Sequence, residues 1–171
     1  MKFTVPFNPV SAARPNWSNR NGRATRAFMP KKYREWRSEV SNWFEEWLAS
    51  TDYALVEELR HLPDGRPIRQ GKVDAKERPF QPDFYGYAAN IVFYVETKNS
   101  DKRPFPLATT SSDLDNYYKA VTDMMFESDT FKNRAKLNDR WIQKNSCLKV
   151  TTKPGTGHID VDIHVIDINK L

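Results

Sequence analysis

Apolar residues recur with helical spacing in two stretches of the chain. In residues 31–50 the apolar stripe follows Pro30, a residue that suits the first turn of a helix. In residues 113–127 a second apolar stripe has polar residues on its opposite face. The apolar positions are Tyr33, Trp36, Val40, Trp43, Phe44 and Trp47 in the first stretch and Leu114, Tyr117, Tyr118, Val121, Met124 and Met125 in the second. Both stretches are therefore predicted to form long helices.

Other stretches predict β-strands because they alternate or are rich in β-branched and aromatic residues. They are residues 2–7, 87–97, 141–152 and 158–168. The second of them has the composition of a central strand, and in the last one the apolar residues from Ile159 to Val165 are expected to share one face. The pair Asn21–Gly22 is typical of a hairpin turn, so residues 24–29 are predicted to be a returning strand after a loop at residues 10–21.

Taken together, these elements predict an α+β fold with a mixed β-sheet packed against the two helices. A chain of 171 residues can bury one core, and we expect a single domain spanning residues 1–171. Prolines interrupt residues 51–87, which predict an insertion or long loop with a short helix near residues 53–61. Residues 127–136 are expected to be a charged connector.

The composition favours a globular protein of the cytoplasm. Hydrophobic residues make up 39% and charged residues 29% of the chain, and no apolar run approaches the roughly 20 residues of a membrane span. The beginning of the sequence has no signal-peptide apolar core, and the lone Cys147 has no internal partner for a disulfide. We therefore expect a reducing compartment and no membrane partner.

Positive charge is concentrated at the beginning of the chain. Residues 1–34 contain eight Lys or Arg and no acidic residue. They are Lys2, Arg14, Arg20, Arg23, Arg26, Lys31, Lys32 and Arg34. Such an asymmetry indicates an anionic partner, although a solvated basic surface is the simpler alternative.

Two carboxylates and a lysine converge at the start of the second predicted helix. Asp113 follows the predicted N-cap Ser112, and Asp115, Lys119 and Asp123 recur every four residues on the polar face. A divalent cation such as Mg²⁺ would remove the repulsion between neighbouring carboxylates. A capped first turn with an Asp115–Lys119 ion pair explains the same residues, so the spacing alone leaves both interpretations open.

The residues around this helix resemble the RusA family of Holliday junction resolvases. The segment Asp113-Leu114-Asp115-Asn116-x-x-Lys119-Ala120-x-x-Asp123 is similar to the family's D-x-D-N-x-x-K-A-x-x-D signature. The similarity extends to Pro9-Val10, Arg14-Pro15, Asn21-Gly22-Arg23, the run from Pro30 to Trp36, the turn Leu137-Asn138-Asp139-Arg140-Trp141-Ile142 and the strand from Gly157 to Ile163. It covers most of the chain in the expected order, with the exception of residues 51–87.

The resemblance implies a Mg²⁺-dependent endodeoxyribonuclease, with Mn²⁺ as a substitute, that nicks two strands of a four-way DNA junction as a homodimer. By matching positions, Asp113, Asp115 and Asp139 would be its metal-binding carboxylates and Lys119 its active-site lysine. Asn138 replaces the first acid of the family's usual pair, which leaves Asp129 as a competitor for the third carboxylate. The DNA backbone would be held by Arg14, Arg20, Arg23, Arg26, Lys31 and Lys32.

Two other classes of function remain open at this point. A protein of the same fold that binds branched DNA without cleaving it would tolerate the change at Asn138. An unrelated metal-dependent phosphohydrolase with a DxD motif, similar to haloacid dehalogenases, would place that motif at the end of an apolar strand. Residues 107–112 form at best a weak strand, which makes the phosphohydrolase the third choice.

Overall fold

A computed structural model describes residues 1–13, 16–20, 23–51, 53–61, 85–98 and 112–167, with the backbone alone for residues 16–20, 23–28 and 85. The strands are β1 (Lys2–Val5), β2 (Asn16–Arg20), β3 (Arg23–Phe28), β4 (Tyr85–Glu96), β5 (Ile142–Thr152) and β6 (His158–Asp167). The helices are α1 (Lys31–Ser50), α2 (Ala54–Glu58) and α3 (Leu114–Phe126), followed by a π-helical turn at Thr130–Arg134 and a 3₁₀ turn at Asp139–Trp141.

Four strands form a mixed sheet in the order β1-β6-β4-β5. Strands β4 and β5 are parallel, whereas β6 is antiparallel to both β1 and β4. Parallel neighbours need a long crossover connection, and here that connection contains α3. The predicted α+β class, with a mixed sheet and two main helices, is confirmed.

The core lies between one face of this sheet and helices α1 and α3. The inward residues of β4 and β6, such as Phe93 and Ile159, are fully buried together with Phe44 of α1 and Val121 of α3. The alternation predicted for β6 is confirmed, since Ile159, Val161 and Ile163 are buried and Val165 packs against the same cluster.

Asn8 ties the chain that follows β1 to the rest of the fold. Its side-chain oxygen accepts a hydrogen bond from the Glu96 backbone N–H at 3.1 Å, and its carbonyl accepts one from the Trp36 indole at 3.1 Å. Gly157 lies so close to it that an added Cβ would come within 2.8 Å of the Asn8 Cα. The following residues are thereby directed across the start of α3.

The N-terminal hairpin is longer than its sequence predicts. Strands β2 and β3 pair antiparallel and place Arg20 opposite Arg23, as a turn at Asn21–Gly22 requires; those two turn residues lie outside the described part of the chain. The loop predicted at residues 10–21 is wrong for Asn16–Arg20, which form β2. This polar strand has no apolar alternation from which it could be predicted. Its extended backbone is stabilised by pairing with β3.

The predicted charged connector after α3 contains part of the core. Phe131 and Ala135 in this connector are buried, as is Leu137 directly after it. The Phe131 ring packs against Phe44 and Phe126 at centroid distances of 5.4 and 5.5 Å. Three apolar residues among many charges show no helical or strand period, which is why the sequence did not predict their burial.

Within the predicted insertion, the short helix is confirmed as α2, and Val56 and Leu59 are buried. Residues 62–84 lie outside the described part of the chain, so the insertion itself stays a prediction. Among the described residues, no helix has the length and apolar character needed to span a bilayer.

Candidate active site at the start of helix α3

Asp113, and not Ser112, is the N-cap residue of α3, which corrects the sequence-based prediction. Its backbone is extended, with φ −63° and ψ 149°, and its side chain makes no capping hydrogen bond. Ser112 instead accepts a hydrogen bond from the hydroxyl of Ser11 at 2.6 Å. The carboxylate of the N-cap residue is thus not used to complete the helix.

Two segments that are distant in sequence hold the start of α3 in place. Ser11 contacts Ser112, and the Ala12 backbone N–H donates to the Asn116 carbonyl at 2.9 Å. From strand β5, the Lys149 ammonium donates to the Ser112 carbonyl at 2.6 Å and lies 5.8 Å from the centre of the Tyr117 ring. Sequence reasoning missed Lys149, because 37 residues separate it from Ser112 and strand alternation carries no sign of such a contact.

Asp113 and Asp115 present free carboxylates at this helix start. Both side chains are exposed, and no described residue forms a hydrogen bond or ion pair with either carboxylate. Negative charge is favourable at a helix N-terminus, where backbone N–H groups are unpaired, so the two acids can be held there without a cationic side chain. The arrangement leaves their oxygens available to a ligand.

Lys119 is paired with Asp123 and not with Asp115. Its ammonium lies 3.1 Å from one oxygen of the Asp123 carboxylate and 3.0 Å from the other. This hydrogen bond is the main reason that the pKa of Lys119 is raised, with smaller contributions from the charges of Asp123, Tyr33 and Asp139. Lys119 is therefore a stable cation at neutral pH, and its partner in the ion pair is Asp123.

Asp139 is near enough to α3 for its charge to act on Lys119 and Tyr118. Burial raises the pKa of Tyr118, a hydrogen bond with Asn145 opposes that shift, and the charge of Asp139 adds to it. Asn138 caps the 3₁₀ turn by accepting a hydrogen bond from the Arg140 backbone N–H at 3.1 Å. The residue that departs from the family's acidic pair thus has a structural role of its own.

Asp129, the competitor for the third carboxylate, already has two side-chain partners within the protein. It follows the other end of α3, where Asn133 donates a hydrogen bond to it at 2.7 Å and Arg134 forms an ion pair at 3.1 Å. The Asn133 hydrogen bond is the largest cause of its lowered pKa, followed among the stabilising contacts by that of Arg134. These contacts and its position favour Asp139 over Asp129.

A divalent cation fits the donors at the start of α3, although the set is small. Among the described residues, no three acidic, histidine or cysteine side chains come together as a ready metal site. Mg²⁺ nevertheless binds in many enzymes through one or two carboxylates, with water and substrate phosphates as its other ligands. The free oxygens of Asp113 and Asp115 match that mode of binding.

The basic residues predicted to contact DNA are only partly described. Arg14 lies outside the described residues, and Arg20, Arg23 and Arg26 belong to the β2–β3 hairpin, for which the backbone alone is described. Lys31 and Lys32 are exposed at the first turn of α1, where Lys31 lies 3.5 Å from Glu35. Ser11 and Ala12, which contact α3, directly precede this basic segment.

Comparison with known families identifies the chain. The model of the family Endodeoxyribonuclease RusA matches residues 6–60 and 70–164. The chain belongs to the RusA family. The match begins directly after β1 and includes α1, α3 and the strands that precede and follow α3 in the sequence, and it is interrupted at residues 61–69, inside the predicted insertion. The searches of curated proteins and of solved structures returned no match.

Membership of the RusA family implies an endodeoxyribonuclease activity directed at Holliday junctions, and this agrees with the resemblance stated from the sequence. RusA-family resolvases generally depend on a divalent metal and act on branched DNA. The helix start described above contains the part of this chain that resembles the family signature.

Proposed function

We propose that this RusA-family protein is a Mg²⁺-dependent nuclease that resolves four-way DNA junctions by paired nicking, as a homodimer. Asp113, Asp115 and Asp139 would hold the metal, and Lys119 would contact the phosphate that is cleaved. Arg14, Arg20, Arg23, Arg26, Lys31 and Lys32 would bind the DNA backbone.

The free carboxylates of Asp113 and Asp115 carry this proposal. The alternative explanation of the sequence motif needed a capping hydrogen bond at the helix start and an ion pair between Asp115 and Lys119. Neither interaction is present, because Asp113 makes no capping bond and Lys119 is paired with Asp123. Two acids with no structural partner among the described residues, in a chain of this family, support a functional use for their charge.

A bound divalent cation supplies Lewis-acid activation of the phosphate and a lowered pKa for a coordinated water. The protein itself would hold the two carboxylates and the lysine in position. Ser11, Ala12 and Lys149 fix the first turn of α3, so the two carboxylates are carried on a rigid element. Lys119 remains protonated and can neutralise charge on the phosphate or on the leaving oxygen.

The direct test is cleavage of a four-way junction labelled on each strand. The expected result is a pair of symmetric nicks in two strands when Mg²⁺ is present and none when EDTA replaces it. The same preparation should bind the junction without metal, as measured by gel mobility. Sedimentation in solution should give a particle of twice the chain mass. A monomer that nicks single strands would contradict the paired mechanism.

A second function is favoured by one observation. Because the described residues bring no third ligand next to Asp113 and Asp115, a protein that binds branched DNA without cleaving it is the alternative. Junction binding with no nicks at saturating protein and millimolar Mg²⁺ or Mn²⁺ would establish that alternative and overturn the nuclease proposal.

A further inference from the structure

Tyr33 of helix α1 has a buried hydroxyl for which the structure gives no hydrogen-bond partner. Its side chain is only 2% exposed. An unsatisfied buried hydroxyl is unfavourable, because folding removes its water without replacing the hydrogen bond. Such a group needs either a structural explanation or a functional one.

The surroundings of Tyr33 are charged. Burial is the main reason that the pKa of Tyr33 is raised, and the charges that act on it belong to Arg37, Asp123, Lys119 and Glu127. Arg37 and Glu127 form an ion pair with each other, as do Lys119 and Asp123. These five residues all belong to the described part of the chain. Among them, only the Tyr33 hydroxyl has no partner.

The Lys119–Asp123 pair has an unequal exposure. The Lys119 side chain is 64% exposed, whereas that of Asp123 is only 16% exposed. If the ammonium turns towards a DNA phosphate, Asp123 loses its cation while it stays largely shielded from water. A shielded carboxylate without a partner is costly, so the movement of Lys119 would be opposed unless another donor replaces it.

We propose that Tyr33 is a positioning residue for Lys119: its hydroxyl donates to the Asp123 carboxylate when the ammonium leaves that carboxylate for a phosphate of the substrate. This inference rests on the proposed function through the role of Lys119. The exchange itself involves only three side chains of this chain, and it needs neither DNA nor metal.

A double-mutant cycle of thermal unfolding, with neither DNA nor metal present, tests the exchange. Tyr33→Phe in the wild-type protein should leave the melting temperature unchanged or raise it, because the hydroxyl that is removed has no partner. In Lys119→Met, which deprives Asp123 of its cation, Tyr33→Phe should lower the melting temperature, because the hydroxyl has become the donor. This change of sign between the two backgrounds is the expected result. The same effect of Tyr33→Phe in both backgrounds would overturn the proposal.

Cleavage kinetics give the second readout. Tyr33→Phe should nick the junction roughly tenfold more slowly at saturating DNA, with an unchanged dissociation constant for the junction. Tyr87→Phe is a matched control, since the Tyr87 hydroxyl is buried but donates to the Leu59 carbonyl at 2.9 Å. That control should melt at a lower temperature and cleave at the wild-type rate. A wild-type cleavage rate for Tyr33→Phe would overturn the role of Tyr33 in the reaction.

The two tests separate this inference from the proposed function. If the wild-type protein makes no nicks, the nuclease proposal fails, while the thermal cycle still decides whether Tyr33 can replace Lys119. If the wild-type protein cleaves and the cycle has no change of sign, the nuclease proposal stands and Tyr33 is excluded as the replacement donor.

Discussion

The two ends of helix α3 treat acidic residues in opposite ways. At its beginning, Asp113 and Asp115 have no partner among the described residues. Towards its end and just beyond it, each acid is paired: Asp123 with Lys119, Glu127 with Arg37, and Asp129 with Arg134. Acidic residues therefore form ion pairs within the fold at one end of α3, whereas at the other end their carboxylates are available to a ligand.

This difference helps to separate structural from functional charge. A paired acid has an explanation in its partner, whereas an exposed pair of neighbouring acids with no cation carries a repulsion that the helix dipole offsets only in part. A bound cation would remove the repulsion. We accordingly propose that the metal binds at the unpaired end.

The largest expected effect is on cleavage. Asp113→Asn and Asp115→Asn should each reduce the nicking rate of a four-way junction by roughly 10³-fold or more, because each removes a charged ligand of the proposed metal. Junction binding should be kept or strengthened, since a negative charge near the phosphates is lost. Asp129→Asn, at the paired end, is the control and should cleave at the wild-type rate. Wild-type turnover by Asp115→Asn would refute the assignment.

The second effect is stabilisation by metal in the absence of DNA. A ligand that binds only the folded state at a hundredfold excess over its dissociation constant adds about 2.7 kcal/mol to the free energy of unfolding. Urea unfolding of the wild-type protein and of Asp129→Asn should therefore shift to higher urea as Mg²⁺ is added. The variant Asp113→Asn/Asp115→Asn should not shift. An equal shift in all three proteins would place the metal elsewhere.

The third effect is on the affinity for the junction and its salt dependence, because the two unpaired acids repel the phosphates of DNA. Cationic side chains elsewhere must hold the phosphates, and Arg23 is expected to be one of them. Arg23→Ala should weaken junction binding and reduce the slope of log affinity against log salt by about 1, because one phosphate contact is lost. Binding measured between low and moderate salt gives this slope. An unchanged slope would remove Arg23 from the backbone contacts.

Much of the fold follows from local patterns. Helices α1 and α3 have a clear apolar stripe, β6 alternates strictly, and the Asn21–Gly22 pair indicates the β2–β3 hairpin. Strand β2 and the burial of Phe131 could not be predicted in this way. The first is stabilised by its partner strand, and the second by aromatic contacts with Phe44 and Phe126, which are far away in sequence or on another element.

The sequence names the candidate residues of the site, but it does not predict their interactions. Asp115 and Asp123 both lie four residues from Lys119, and an acid on the N-terminal side is the better partner in an isolated helix. In the structure Lys119 pairs instead with Asp123, whose side chain is only 16% exposed, whereas Asp115 is exposed. A shielded carboxylate gains more from a cation than an exposed one does. Spacing along one helix carries no information about which acid a neighbouring helix shields, so sequence could not decide between them.

The smallest expected effect is the pH dependence of the Lys119–Asp123 pair. The pKa of Lys119 is raised in the folded protein, chiefly by its hydrogen bond to Asp123. Its contribution to stability is therefore complete below the unfolded-state pKa of about 10.4 and is lost as the pH rises through the higher folded-state value. For an exposed lysine this contribution is only about 0.3–0.5 kcal/mol. Between pH 8 and pH 11, urea unfolding of the wild-type protein should thus lose slightly more stability than that of Asp123→Asn, in which this pair is absent. Parallel losses in the two proteins would mean that the pair contributes nothing to stability, and that the paired end of α3 differs from the unpaired end in geometry alone.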